Sequence, residues 1–123
     1  DALLASKMDP IEATRRWMAG ATVRLSDTGF ESGCPLATVA LETTPDDPAL
    51  REALARAFAT LRERIALALE LHGEPQAQAR GIAALIVATY EGGLLQARVA
   101  QSTEPITQAT ETLLSLLAAR ANR

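Results

Sequence analysis

The chain has 123 residues, with 12 Lys and Arg against 15 Asp and Glu, a formal net charge of -3 and a pI near 5.1. That length suits one domain with one main core. Hydrophobic residues at 48% and charged residues at 22% exclude a disordered chain, and the acidic balance speaks against a nucleic-acid-binding face on it. Aromatics make up only 3%, so the core must be built from Leu, Ile, Val and Ala. A single Cys and a single His allow neither an internal disulfide nor a Cys/His zinc site within one chain, and no cofactor or metal is expected. No uninterrupted apolar run is long enough for a membrane span, and no signal-peptide pattern opens the chain. The expectation is a cytoplasmic protein without membrane contact.

The prolines divide the sequence. Four of the six follow an acidic residue, as Asp9-Pro10, Asp47-Pro48, Glu74-Pro75 and Glu104-Pro105. Proline suits the first position of a helix, where its missing N–H would have no partner, and an acid before it complements the positive end of the dipole. The spacing predicts a first helix over about Pro10 to Thr28, stopped by Gly29. Ile11, Thr14, Met18, Ala21 and Leu25 form its apolar stripe, with Trp17 alongside. Glu12, three residues after Asp9, fits a capping box.

Between Gly29 and Asp47, Gly29 and Gly33 bracket a turn, and Pro35 to Glu42 can make two helical turns. A strand over Ala37 to Leu41 is the alternative, but no second strand exists to pair with it. The next helix is predicted from Pro48 to His72, with Leu50, Leu54, Phe58, Leu61, Ile65 and Leu69 as its stripe and Gly73 as its stop. Two further helices are predicted, from Pro75 to Ala100 and from Pro105 to Ala121. Both carry apolar residues around most of their circumference, so part of their surface needs a partner. The fold class is therefore all-α: an antiparallel bundle of four long helices plus a short one.

Catalytic constellations are missing. There is no glycine-rich phosphate loop, no Gly-x-Ser-x-Gly and no His-Glu-x-x-His, and the chain is not read as an enzyme. Cys34, at the start of the short helix, is either a small core side chain or a sensing thiol. Trp17, Met18, Phe30, Phe58 and Tyr90 either fill the core or wall an apolar ligand cavity between helices. Glu91, inside the most apolar helix, needs a partner: Arg24, Arg62, Arg98 or a polar ligand group. Gly92-Gly93 in mid-helix cost about 2 kcal/mol relative to Ala. Together with Leu94 and Ala97 they offer a flat surface for close packing, either within the monomer or against a second subunit.

The order of these elements, with Gly33-Cys34-Pro35-Leu36-Ala37 in the turn and Tyr90-Glu91-Gly92-Gly93-Leu94-Leu95-Gln96-Ala97-Arg98 in the third long helix, resembles the C-terminal regulatory domain of the TetR/AcrR family of transcriptional regulators. The nearest branch is the LmrA/YxaF-like one, with Gly93 where Ala would be expected. The resemblance covers roughly residues 9 to 120. It implies that residues 9–123 form a ligand-binding and dimerisation domain. Residues 1–8 would then be the end of a helix connecting it to an N-terminal helix-turn-helix domain that this chain lacks.

It also implies a homodimer, contact with DNA only through the missing domain, and a small, largely apolar effector that shifts the spacing of two DNA readers, with repression as the family's usual mode. Under that reading Trp17, Met18, Phe30, Cys34, Phe58, Leu61, Tyr90 and Glu91 line the effector cavity. Ile86, Gly93, Leu94, Ala97, Ile106, Leu113 and Leu117 form the subunit interface. The rival readings are a stand-alone dimeric helical interaction module without a ligand, and a small-molecule carrier or enzyme of helical type.

Overall fold

The computed structural model describes residues 8–31, 33–42 and 47–121. All regular structure among them is helical: α1 (Pro10–Asp27), α2 (Pro35–Glu42), α3 (Pro48–Leu71), α4 (Gln76–Ala100) and α5 (Glu104–Ala121). The short segment after Pro35 is thus a helix and not a strand. Residues 1–7 of the expected connecting helix lie outside the described residues.

Local chemistry sets the helix ends. Asp9 caps α1, its carboxylate accepting from the backbone N–H groups of Ile11 and Glu12 at 3.1 Å each. Glu12 does not act as the return arm of a capping box. It turns to Arg15 and Arg16, at 3.2 and 3.3 Å. Asp47 caps α3 by accepting from the Leu50 N–H at 3.0 Å.

The other two starts differ from the proline reading. α4 begins at Gln76, and Pro75 is its extended cap with no side-chain bond. Glu74 instead reaches across the bundle end to Arg120, at 2.6 Å. α5 begins at Glu104, whose N–H is taken by the Ser102 hydroxyl at 3.1 Å. A hydroxyl two residues before the helix does the capping that was expected of the acid.

α1 and α3 end alike. The Phe30 N–H bonds back to the Leu25 carbonyl at 2.8 Å and the Gly29 N–H to Ser26 at 3.1 Å. The Glu74 N–H bonds to Leu69 at 3.0 Å and the Gly73 N–H to Glu70 at 3.0 Å. These are the paired bonds of a Schellman end, and Gly29 (φ 67°) and Gly73 (φ 99°) supply the left-handed residue it needs.

α4 is the centre of the bundle. It packs along α3 on one side and α5 on the other, and α1 lies across α5, α4 and α3, while α2 rests on α3. Met18, Leu25, Ile86 and Ile106 are the largest fully buried side chains. α4 has an 18-residue window of mean hydropathy 1.2, long and apolar enough by composition to cross a membrane, although no uninterrupted apolar run is present. In the bundle, 44% of that window is buried.

Gly93 decides the α4–α5 contact. A Cβ there would stand 2.9 Å from Ile106 Cγ1 and 3.1 Å from Ile106 Cα. The close approach belongs to the chain's own two helices. Gly92, by contrast, has nothing within 4 Å of an added Cβ.

Candidate functional site

The eight residues expected around a ligand separate into distinct groups. Trp17 and Tyr90 stack face to face, with ring centroids 4.1 Å apart and planes 5° from parallel. The two rings occupy the space between α1 and α4 with each other. Met18 is buried and its sulfur accepts from the Thr110 hydroxyl of α5 at 3.2 Å. Phe58 and Leu61 lie half-buried on α3, packed against the core, as does Phe30 after α1. Phe30 holds a left-handed φ of 65°, a conformation that a bulky residue adopts only where the surroundings impose it, here the Schellman bond to Leu25.

The remaining two, Cys34 and Glu91, come together. They share a cleft of about 30 Å³ between the start of α2 and the middle of α4, with Gly33, Ala37, Thr38, Leu94, Leu95 and Arg98. Cys34 is buried and free. Pro35 opens α2 immediately after it, so the first turn of the short helix sets the thiol against α4. Both Glu91 carboxylate oxygens are sealed from solvent, and no nitrogen or oxygen donor reaches either; only the weak Cys34 S–H lies beside them. The partners considered from the sequence are therefore not made: no arginine satisfies this carboxylate.

The electrostatics follow from burial. Removal from water raises the Glu91 pKa above the ordinary carboxylate value, and the nearby Cys34 S–H offsets this only in part. Burial first, and then the adjacent carboxylate, raises the Cys34 pKa, so the thiol stays protonated near neutral pH despite its place at a helix start. Tyr90 is raised by burial and by the acidic Cys34 and Glu91, with Arg24 alongside acting in the opposite direction. Arg24 thus attends the Tyr90 hydroxyl and not Glu91.

Sequence reasoning named Arg98 only as a candidate partner of Glu91, did not assign Leu95 to this site, and assigned Leu94 to a subunit interface. The available signal was spacing, since Leu94, Leu95 and Arg98 follow Glu91 by three, four and seven residues and so share its helix face.

The seven residues expected at the interface need correction. Ile86, Gly93, Leu94, Ala97, Ile106, Leu113 and Leu117 are all buried within the single chain, because α4 and α5 direct these positions at each other and at the core. The apolar side chains that α4 and α5 leave in solvent are others: Leu85 (50% exposed), Leu95 (47%), Val99 (79%) and Leu116 (63%). A groove of about 770 Å³ runs between the two helices here, and Leu85, Thr89, Gln96, Ala109, Thr112 and Leu116 are among its lining residues. A second groove, of about 470 Å³ and mixed charge, lies between α3 and α4 and is lined by residues including Arg62, Glu63, Glu70 and Arg80.

The described residues form an all-α bundle, consistent with the C-terminal domain of a TetR regulator. The chain belongs to the family described as transcriptional regulator LmrA/YxaF-like, C-terminal domain, which it matches over residues 10–112. No curated protein and no solved structure matches it. C-terminal domains of TetR regulators are regulatory and not catalytic.

Proposed function

We propose that this chain is the effector-binding and dimerisation part of a TetR-like transcriptional repressor, acting in the cytoplasm. In a regulator of this kind an N-terminal helix-turn-helix domain reads the DNA. A small, largely apolar effector binds one arrangement of the bundle better than another and changes the separation of the two DNA readers in a dimer. The readers dock only when half-sites lie about one helical turn apart. DNA is a partner through that N-terminal domain alone, and the chain itself carries no reaction.

The observation that supports the dimeric part is the outward apolar face of α4 and α5. Leu85, Val99 and Leu116 are each at least half exposed, although α4 and α5 are the most apolar of the four long helices. A stable interface on that face buries on the order of 1,500–2,500 Å² in total. Sedimentation equilibrium at micromolar concentration tests it: a dimer is expected, and a monomer would overturn it.

One observation favours a dimeric interaction module without a ligand. The Trp17–Tyr90 stack fills space that the effector reading would leave for a guest. Titration of apolar compounds against Trp17 fluorescence separates the two. An effector that parts the rings changes the emission, whereas a ligand-free module gives no saturable response.

A further inference from the structure

A carboxylate shut inside a protein ordinarily finds donors for its oxygens, because a buried polar group left bare costs about 1–3 kcal/mol and a charged one more. Glu91 departs from that rule, with both oxygens sealed and no nitrogen or oxygen donor on either. The donors nearby do not serve it. Cys34 offers a single weak S–H to a group with about four acceptor sites. The Thr38 hydroxyl, in the same cleft, donates to the Cys34 carbonyl at 3.1 Å. Arg24 stands at Tyr90. Arg98 lines the cleft yet bonds to neither oxygen.

The space beside the carboxylate is small and mostly apolar. The cleft measures about 30 Å³, with Gly33, Ala37, Leu94 and Leu95 on its walls. That exceeds the roughly 10–15 Å³ that a single water needs. A compact head group therefore fits. A neutral group or a water would supply donors but leave the buried negative charge uncompensated. A primary ammonium supplies three donors and the opposite charge in the same volume. Arg98 is exposed, where its like charge is screened by solvent.

Building on the effector-binding reading above, we propose that Glu91 anchors the head of a protonated primary amine in the cleft between α2 and α4. The ligand's apolar remainder lies along Leu94 and Leu95. The effector class is then an amphiphilic amine and not a neutral or anionic hydrophobe. Cys34, at the opposite wall, is covered when the site is filled.

The test uses the full chain with three probes of equal tail: n-hexylammonium chloride, 1-hexanol and sodium hexanoate, near neutral pH. The readouts are the rate of Cys34 alkylation by N-ethylmaleimide and the melting temperature. Hexylammonium is expected to slow alkylation about tenfold at saturation and to raise the melting temperature, and the alcohol and the carboxylate to do neither. Glu91→Gln is expected to abolish both effects and to keep the fold, since it removes an unpaired buried charge. Glu91→Met, which removes the oxygens altogether, is expected to do the same.

Equal protection by 1-hexanol would overturn the amine assignment and leave effector binding standing. Protection of Glu91→Gln as strong as that of the unmodified chain would overturn it as well, as would the absence of any effect from the ammonium. The broader reading fails separately, when no apolar compound of any charge alters Trp17 fluorescence.

Discussion

Gly93 and Ile106 stand so close that a methyl group on the glycine would lie 2.9 Å from Ile106 Cγ1 and 3.1 Å from its Cα. The second distance matters more, because a backbone atom cannot rotate aside. α5 as a whole would have to move. Gly93→Ala is therefore expected to destabilise the bundle by about 1–3 kcal/mol through overpacking, despite the better helix propensity of alanine. Gly92→Ala, with open space at its Cβ, is expected to stabilise it by up to about 1 kcal/mol. Urea denaturation of the two single variants measures the contrast, and similar effects from both would disprove this account of the contact.

Glu91 makes folding dependent on pH in a stated direction. Its folded pKa is raised above the unfolded value, chiefly by burial. The folded state therefore holds the proton more tightly, and that contribution is present at low pH and lost as pH rises through the folded pKa. Glu91→Gln removes the charge and is expected to be about 1 kcal/mol more stable than the unmodified chain near neutral pH. The gap should close in acid. Chemical denaturation of both proteins between weakly acidic and neutral pH checks the sign.

Cys34 is expected to be a slow thiol. Burial and the neighbouring carboxylate both hold its proton on, so little thiolate exists near neutral pH. Alkylation by iodoacetamide should run slower than that of a free cysteine, with its pH profile displaced upward. Glu91→Gln should move the profile back down and quicken the reaction. A Glu91→Gln profile identical to that of the unmodified chain would mean that burial alone governs the thiol.

The outer face of α4 and α5 gives a prediction about association. Leu85 and Leu116 are 50% and 63% exposed and line one groove. The double change Leu85→Glu with Leu116→Glu is expected to convert a dimer into a monomer, because it would set unpaired charges inside the shared face. The melting temperature extrapolated to low concentration should hardly move, since the single chain already exposes both residues. Leu94→Glu, inside the monomer core, should unfold the chain instead. Light scattering together with circular dichroism separates loss of association from loss of fold.

The helices were legible from local chemistry. Asp9 and Asp47 cap the helices that Pro10 and Pro48 open, and Gly29 and Gly73 end the helices before them, because caps and left-handed stops act over a few bonds. Glu74 and Glu104 misled the same reasoning. A carboxylate at a helix start is also free to pair across space, as Glu74 does with Arg120, or to leave the capping to a serine two residues earlier.

By itself the amino-acid order determined an all-helical chain, the position of its breaks and the family whose motifs it carries. Only tertiary packing decided what each apolar position faces. Periodicity says that Ile86, Leu94 and Leu113 share stripes on their helices, but not whether a stripe meets its own neighbour or another copy. That depends on the rotation of α4 against α5, set by the fit of Gly93 on Ile106. The meeting of Cys34 with Glu91 is of the same kind. Fifty-seven positions separate them in sequence, and only the docking of α2 brings the thiol to a carboxylate that no nitrogen or oxygen donor reaches.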